Sequence, residues 1–215
     1  MTSCAGPDSM RRFTGRIGVA IAFAMALCAG TRAEGPGGTT PFAWPVPEGW
    51  KSETIPFPLE FAPDVHHAGV EVLRFSKGFG DTNAPDNWTY AFAWILDDNA
   101  AITEASLSQE LTAYFKGLAT AVGGTKFEFD PKHFAARFRE RPAASGSKVR
   151  EYTGTVETYD CFHTGKPITL HMLVRTHPCE GGRRQAVLFA SSRLENDDTI
   201  WPGLRDLLGS FRCGR

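Results

Sequence analysis

The chain has 215 residues, 42% of them hydrophobic, with 23 Lys and Arg against 24 Asp and Glu and a formal net charge of -1. A chain of this length suits one domain whose core covers about two thirds of the unfolded surface, so it does not need a dense disulfide framework. No basic stripe is present, which excludes the phosphate-neutralising surface that a nucleic-acid partner requires.

Arg11, Arg12 and Arg16 precede the apolar run Ile17 to Cys28 and then the small-residue segment ending at Thr31 and Ala33. This is the layout of a secretory signal peptide over 1–33, with cleavage after Ala33. The run is short for a membrane span of about 20 residues. Lipid attachment at Cys28 fits poorly because bulky Leu27 stands before it. The arginine pair suggests the twin-arginine route, although the residues that follow do not suit it. Cleavage removes four of the 23 basic residues and one of the 24 acidic ones, leaving 19 against 23 and a charge of −4. The expected location is periplasmic or secreted, without a transmembrane anchor once the signal is removed.

Residues 34–47 are rich in Gly and Pro and read as a linker, so a single domain is expected over 48–213. Strand character follows at Glu53 to Leu59, at Gly69 to Ser76 with Val70 and Val72 set against Glu71, and at Asn87 to Asp97. In the last of these, Trp88, Tyr90, Phe92, Trp94 and Leu96 share one face and Thr89, Ala91, Ala93 and Ile95 the other. Both faces are largely apolar, which predicts a central strand with a helix seated close on the small side. A helix is predicted from Ser106 to Val122, its stripe formed by Leu107, Leu111, Tyr114, Phe115, Leu118 and Val122. Ser106 and Gln109 have capping-box spacing, and Gly123 with Gly124 suggests a left-handed stop.

Four more strands follow, His133 to Glu140, Val149 to Cys161, Ile168 to Thr176 and Gln185 to Ser192, separated by the turn segments PAASG, TGKP and EGG. Short connections imply antiparallel neighbours. A last helix, Ile200 to Phe211, opens at Asp198 or Thr199 and turns Trp201, Leu204, Leu207, Leu208 and Phe211 inward. The predicted fold is α+β: an antiparallel sheet of six to seven strands flanked by two main helices, in the order β-β-β-α-β-β-β-β-α.

The opening Val46-Pro47-Glu48-Gly49-Trp50 and the ending Asp206-Leu207-Leu208-Gly209-Ser210-Phe211-Arg212 resemble the PsbP/Mog1-like group of α/β sandwich proteins. The resemblance implies a central antiparallel sheet flanked by helices, and a role in binding or assisting other proteins without catalysis.

Cys161, Cys179 and Cys213 remain after signal removal, and the absence of CxxC pairs argues against a zinc or thioredoxin-like site. A disulfide is predicted between Cys179 and Cys213, with Cys161 free, because the last helix must run back along the sheet and return its end to the start of the preceding strand. His171 and His177 are about 20 Å apart along a strand and cannot share an ion, although His163 could meet His171 across the TGKP hairpin. Histidines at strand and loop positions are usually solvated or hydrogen-bonded, and no metal is expected.

Glu157, Tyr159, His171 and Arg175 lie on neighbouring predicted strands and could form a polar patch on one sheet face. Such a patch is either an acid–base site or, more commonly, an exposed face laced with ion pairs. Trp44 stands apart from any predicted core and is a candidate ligand contact. No GxSxG, HExxH or phosphate-binding glycine loop is present, and no cofactor motif. The expected function is therefore an exported, non-enzymatic domain that binds a protein or a small ligand, with a hydrolase-type enzyme or a structural envelope component as alternatives.

Overall fold

The computed structural model describes residues 42–97, 100–142, 148–179, 184–195 and 198–214. The export signal read at 1–33 and the first part of the linker lie outside the described residues. Alternating side chains dictate the centre of the fold. On strand β4 (Tyr90–Leu96) Tyr90, Phe92, Trp94 and Leu96 enter one core, and Ala91, Ala93 and Ile95 enter a second core on the opposite face. Helix α1 (Glu104–Gly123) covers the aromatic face with Leu107, Leu111, Tyr114 and Phe115. Helix α2 (Ile200–Gly209) covers the small face, where four alanines (91, 93, 186 and 190) let Trp201 and Leu204 sit close to the sheet.

The sheet also contains β2 (Lys51–Pro56), β3 (Gly69–Phe75), β5 (Ala135–Arg141), β6 (Glu151–Tyr159), β7 (Pro167–Pro178) and β8 (Gln185–Ser192). Its order is β2-β3-β4-β8-β7-β6-β5, and every pairing is antiparallel. The chain thus crosses with α1 from the middle of the sheet to its far edge and returns strand by strand until β8 closes against β4. The predicted α+β architecture and element order hold. Among the described residues, no helix is long and apolar enough to cross a membrane.

Three local expectations are corrected. The cap of α1 is one turn earlier: the Thr103 hydroxyl accepts from Ser106 N–H, and Ser106 Oγ accepts from Thr103 N–H. No left-handed stop follows, since Gly124 has φ −62°. Gly123 serves packing instead, because a Cβ there would lie 2.9 Å from the Cys161 carbonyl oxygen.

The third correction concerns residues 42–47, which belong to the domain. A two-stranded ribbon pairs β1 (Phe42–Ala43) with β9 (Arg212–Cys213), and Phe42 stacks on Phe211 at 6.2 Å. Trp44 is only 6% exposed and donates its indole N–H to the Leu207 carbonyl at 2.9 Å. Arg74 clamps this segment from β3, donating to the Trp44 and Pro45 carbonyls at 2.8 and 3.1 Å with its guanidinium over the Trp44 ring. A Gly/Pro-rich composition describes how the chain enters the domain but cannot reveal that two aromatics anchor it.

Candidate functional site

The predicted polar residues do not converge. Glu157, His171 and Arg175 do share the α2 side of the sheet. Glu157 pairs with Thr169, so along β7 His171 is about 7 Å and Arg175 about 20 Å from it. Each side chain has its own partner: Glu157 meets Arg137 at 2.9 Å, His171 lies 3.6 Å from Glu195, and Arg175 meets Glu151 at 2.8 Å. His163 does not reach His171 but sits by Asp160 at 3.5 Å.

Tyr159 leaves this face altogether. The strand ends there, and the ring turns into the α1-side core against Phe129, Phe134 and His133. Trp44 is core as well, for the reasons given above. Among the described residues, no group of three or more His, Cys, Asp or Glu side chains could hold a metal ion.

Arg175 alone leads to a cavity. A cleft of about 420 Å³ lies between the C-terminal end of α2 and strands β6 and β7, within the range of small-molecule sites. Arg175, His177 and Arg212 supply its cationic and hydrogen-bonding groups, and among the described residues Glu151 is the one carboxylate that lines it. Glu151 is shared, since Arg141 also reaches it at 3.4 Å. Two arginines thus line the cleft and a third stands close by, facing a single carboxylate, which leaves a local excess of positive charge.

Backbone carbonyls hold the guanidinium groups in place. Arg175 donates to the Arg205 carbonyl at 3.2 Å, and Arg212 to those of Gly209 and Phe211 at 2.6 Å, so both complement the negative end of α2. Burial, then the neighbouring Arg212 charge, lowers the His177 pKa, so at neutral pH its ring is an uncharged donor and acceptor. His177 meets Phe211 edge-on at 5.6 Å. Pro142 and Val149 complete an apolar wall. Beside the cleft, the Cys179–Cys213 disulfide joins β9 to the end of β7 across 5.5 Å between Cα atoms, as predicted, and Cys161 is free and buried.

Sequence reasoning did not single out Glu151 or Arg212, and it weighed His177 only as a metal ligand. The first was within reach, because counting back from the TGKP turn sets Glu151 opposite Arg175. Arg212 required knowing where α2 ends.

No family model matches the chain, and no curated protein matches it. Among solved structures the chain is similar to the crystal structure of LpqN, described as involved in cell envelope biogenesis of Mycobacterium tuberculosis. The two are 15% identical, the match covers 85% of this chain and 88% of that chain, and the TM-score is 0.35. At that level of similarity, function has to be read from the site's own geometry.

Proposed function

We propose that this chain is an exported, periplasmic or secreted, non-enzymatic binding domain that takes a small organic anion in the cleft between α2 and strands β6 and β7. The carrying observation is the cleft's composition: a rim with Arg175 and Arg212 against one carboxylate, set over an apolar wall. A carboxylate or phosphate head would be recognised by the guanidinium groups, and a short apolar tail would cover Val149 and Pro142. The Cys179–Cys213 disulfide supports an oxidising compartment, as does the signal-like start of the sequence. The separation of Glu157, His171 and Arg175 favours binding over acid–base chemistry, which needs its groups within hydrogen-bond reach of one substrate.

Calorimetric titration with hexanoate and with hexyl phosphate tests the reading. Saturable binding of at least one is expected, weakened about tenfold or more in Arg175→Gln, since a charge-assisted hydrogen bond contributes about 1.5–3 kcal/mol. The melting temperature of the variant controls for structural loss. Binding that is unchanged in Arg175→Gln, or absent for both probes, would remove the cleft as the ligand site.

A further inference from the structure

Strand β3 carries a carboxylate into the driest part of the fold. Glu71 is fully buried and stands opposite Trp94 in the β3–β4 ladder. Its Oε1 accepts the Trp94 indole N–H at 3.0 Å, whereas Oε2 is buried without a well-formed hydrogen bond.

The segment between β2 and β3 forms a roof on Trp94 and Tyr114, the two rings that interact with this group. Phe57 and His67, near its two ends, place their rings 5.9 and 5.5 Å from the Trp94 ring, and Phe61 meets Tyr114 edge-on at 5.0 Å. Leu59, Ala62 and Val65 between them are buried in the α1-side core. The roof lies so close to α1 that a Cβ on Gly117 would come within 2.0 Å of the Phe61 carbonyl oxygen. His67 Nε2 lies 3.4 Å from Glu110 Oε2 on α1, with side chains 3% and 19% exposed. That contact is an ion pair only while the imidazole is protonated.

We propose that Glu71 is a proton-operated latch that holds segment 57–68 closed over the aromatic core and releases it as pH rises. A protonated Glu71 is a neutral group that the core accepts, but an ionised one is a buried charge with a single firm donor. The titratable groups that act on it are Glu53 from β2, Tyr90 from β4 and Tyr114 from α1, none of them a cation, whereas His67 of the roof and Glu110 of α1 meet each other. Burial accordingly pushes the Glu71 pKa from 4.5 up to about 7, against the smaller pull of the Trp94 and Tyr114 hydrogen bonds and with a further push from Glu53.

The direction of the switch follows from proton linkage. The closed state keeps a proton that the opened chain gives up above its ordinary value of 4.5, so closure is fully stable below that pH and weakens as pH rises through about 7. Opening the roof returns Glu71 to water without unpairing the central strands.

Hydrogen exchange followed by mass spectrometry at pH 5.5 and 8.0, corrected for intrinsic rates, tests the latch in the full chain. The probes are the amides of Ala62 and Val65, which close turns onto the Leu59 and Ala62 carbonyls at 3.0 Å. Opening is expected to increase on the order of 30-fold between the two pH values, while β4 and β8 keep their protection. In Glu71→Gln the dependence should flatten, with the variant's melting temperature at pH 5.5 as the control for structural loss. Wild-type protection that does not change with pH overturns the proposal. So does an equal change in Glu71→Gln.

Discussion

Replacing Trp94 by Ala should destabilise the domain by about 4–6 kcal/mol. The ring is fully buried and stands within 4.8–6.2 Å of Phe189, Phe92 and Tyr114, so its removal opens a cavity lined by rigid aromatic rings that cannot collapse into it. That accounts for about 3–5 kcal/mol. The remainder comes from Glu71, whose Oε1 loses the indole donor while still buried. Trp94→Phe separates the two effects by keeping most of the ring and removing the N–H. It should cost about 1–3 kcal/mol, more at pH 8 than at pH 5, because an ionised Glu71 depends most on its donor. Urea denaturation followed by circular dichroism gives both values. A loss below about 2 kcal/mol for Trp94→Ala would mean that the aromatic layer is not a packed core.

The same strand shows what the sequence made legible. Large residues on one face of β4 and small ones on the other announced a thick aromatic layer and a closely seated helix, and α1 and α2 occupy those two faces. Alternation is a local property and needs no knowledge of partners. Its limit appears at Trp88: the apolar alternation runs on through it, but φ is 59° there, so the extended strand cannot include it, and β4 begins at Tyr90.

Glu71 was hidden for the opposite reason. Between Val70 and Val72 it reads as the solvent side of a half-exposed strand, a reading that fails because β3 is an interior strand with a core on each face. Likewise, Tyr159 keeps the parity of Glu157 in the sequence but sits on the last residue of its strand, where the chain turns and parity stops predicting the face. The cleft could be read only in part. Arg175 and Glu151 are set by hairpin register, whereas His177 and Arg212 meet through the return of α2, a tertiary fact.

Replacing Cys179 and Cys213 together by Ser should destabilise the domain by about 3–4 kcal/mol and lower the melting temperature by roughly 10 °C. The two cysteines are 34 residues apart in sequence, and the loop they close contains β8 and α2, so the oxidised unfolded chain loses conformational freedom in the stretch that completes both the sheet and the second core. The structural consequence should be local. The two-residue β1–β9 ribbon cannot stand alone, and it is held by the disulfide on one side and by the Phe42–Phe211 stack and the Trp44 to Leu207 hydrogen bond on the other. Amides at 42–44 and 211–213 should therefore exchange faster in the double variant, with β4 and β8 unaffected. Because Arg212 is carried by that ribbon and Arg175 by the sheet, the cleft loses one of its two lining arginines when the ribbon frays. Anion binding should weaken in the double variant even well below its melting temperature. A variant that melts within about 3 °C of the parent and keeps the protection of residues 211–213 would show that the packing of α2 on the four alanines holds the ribbon by itself.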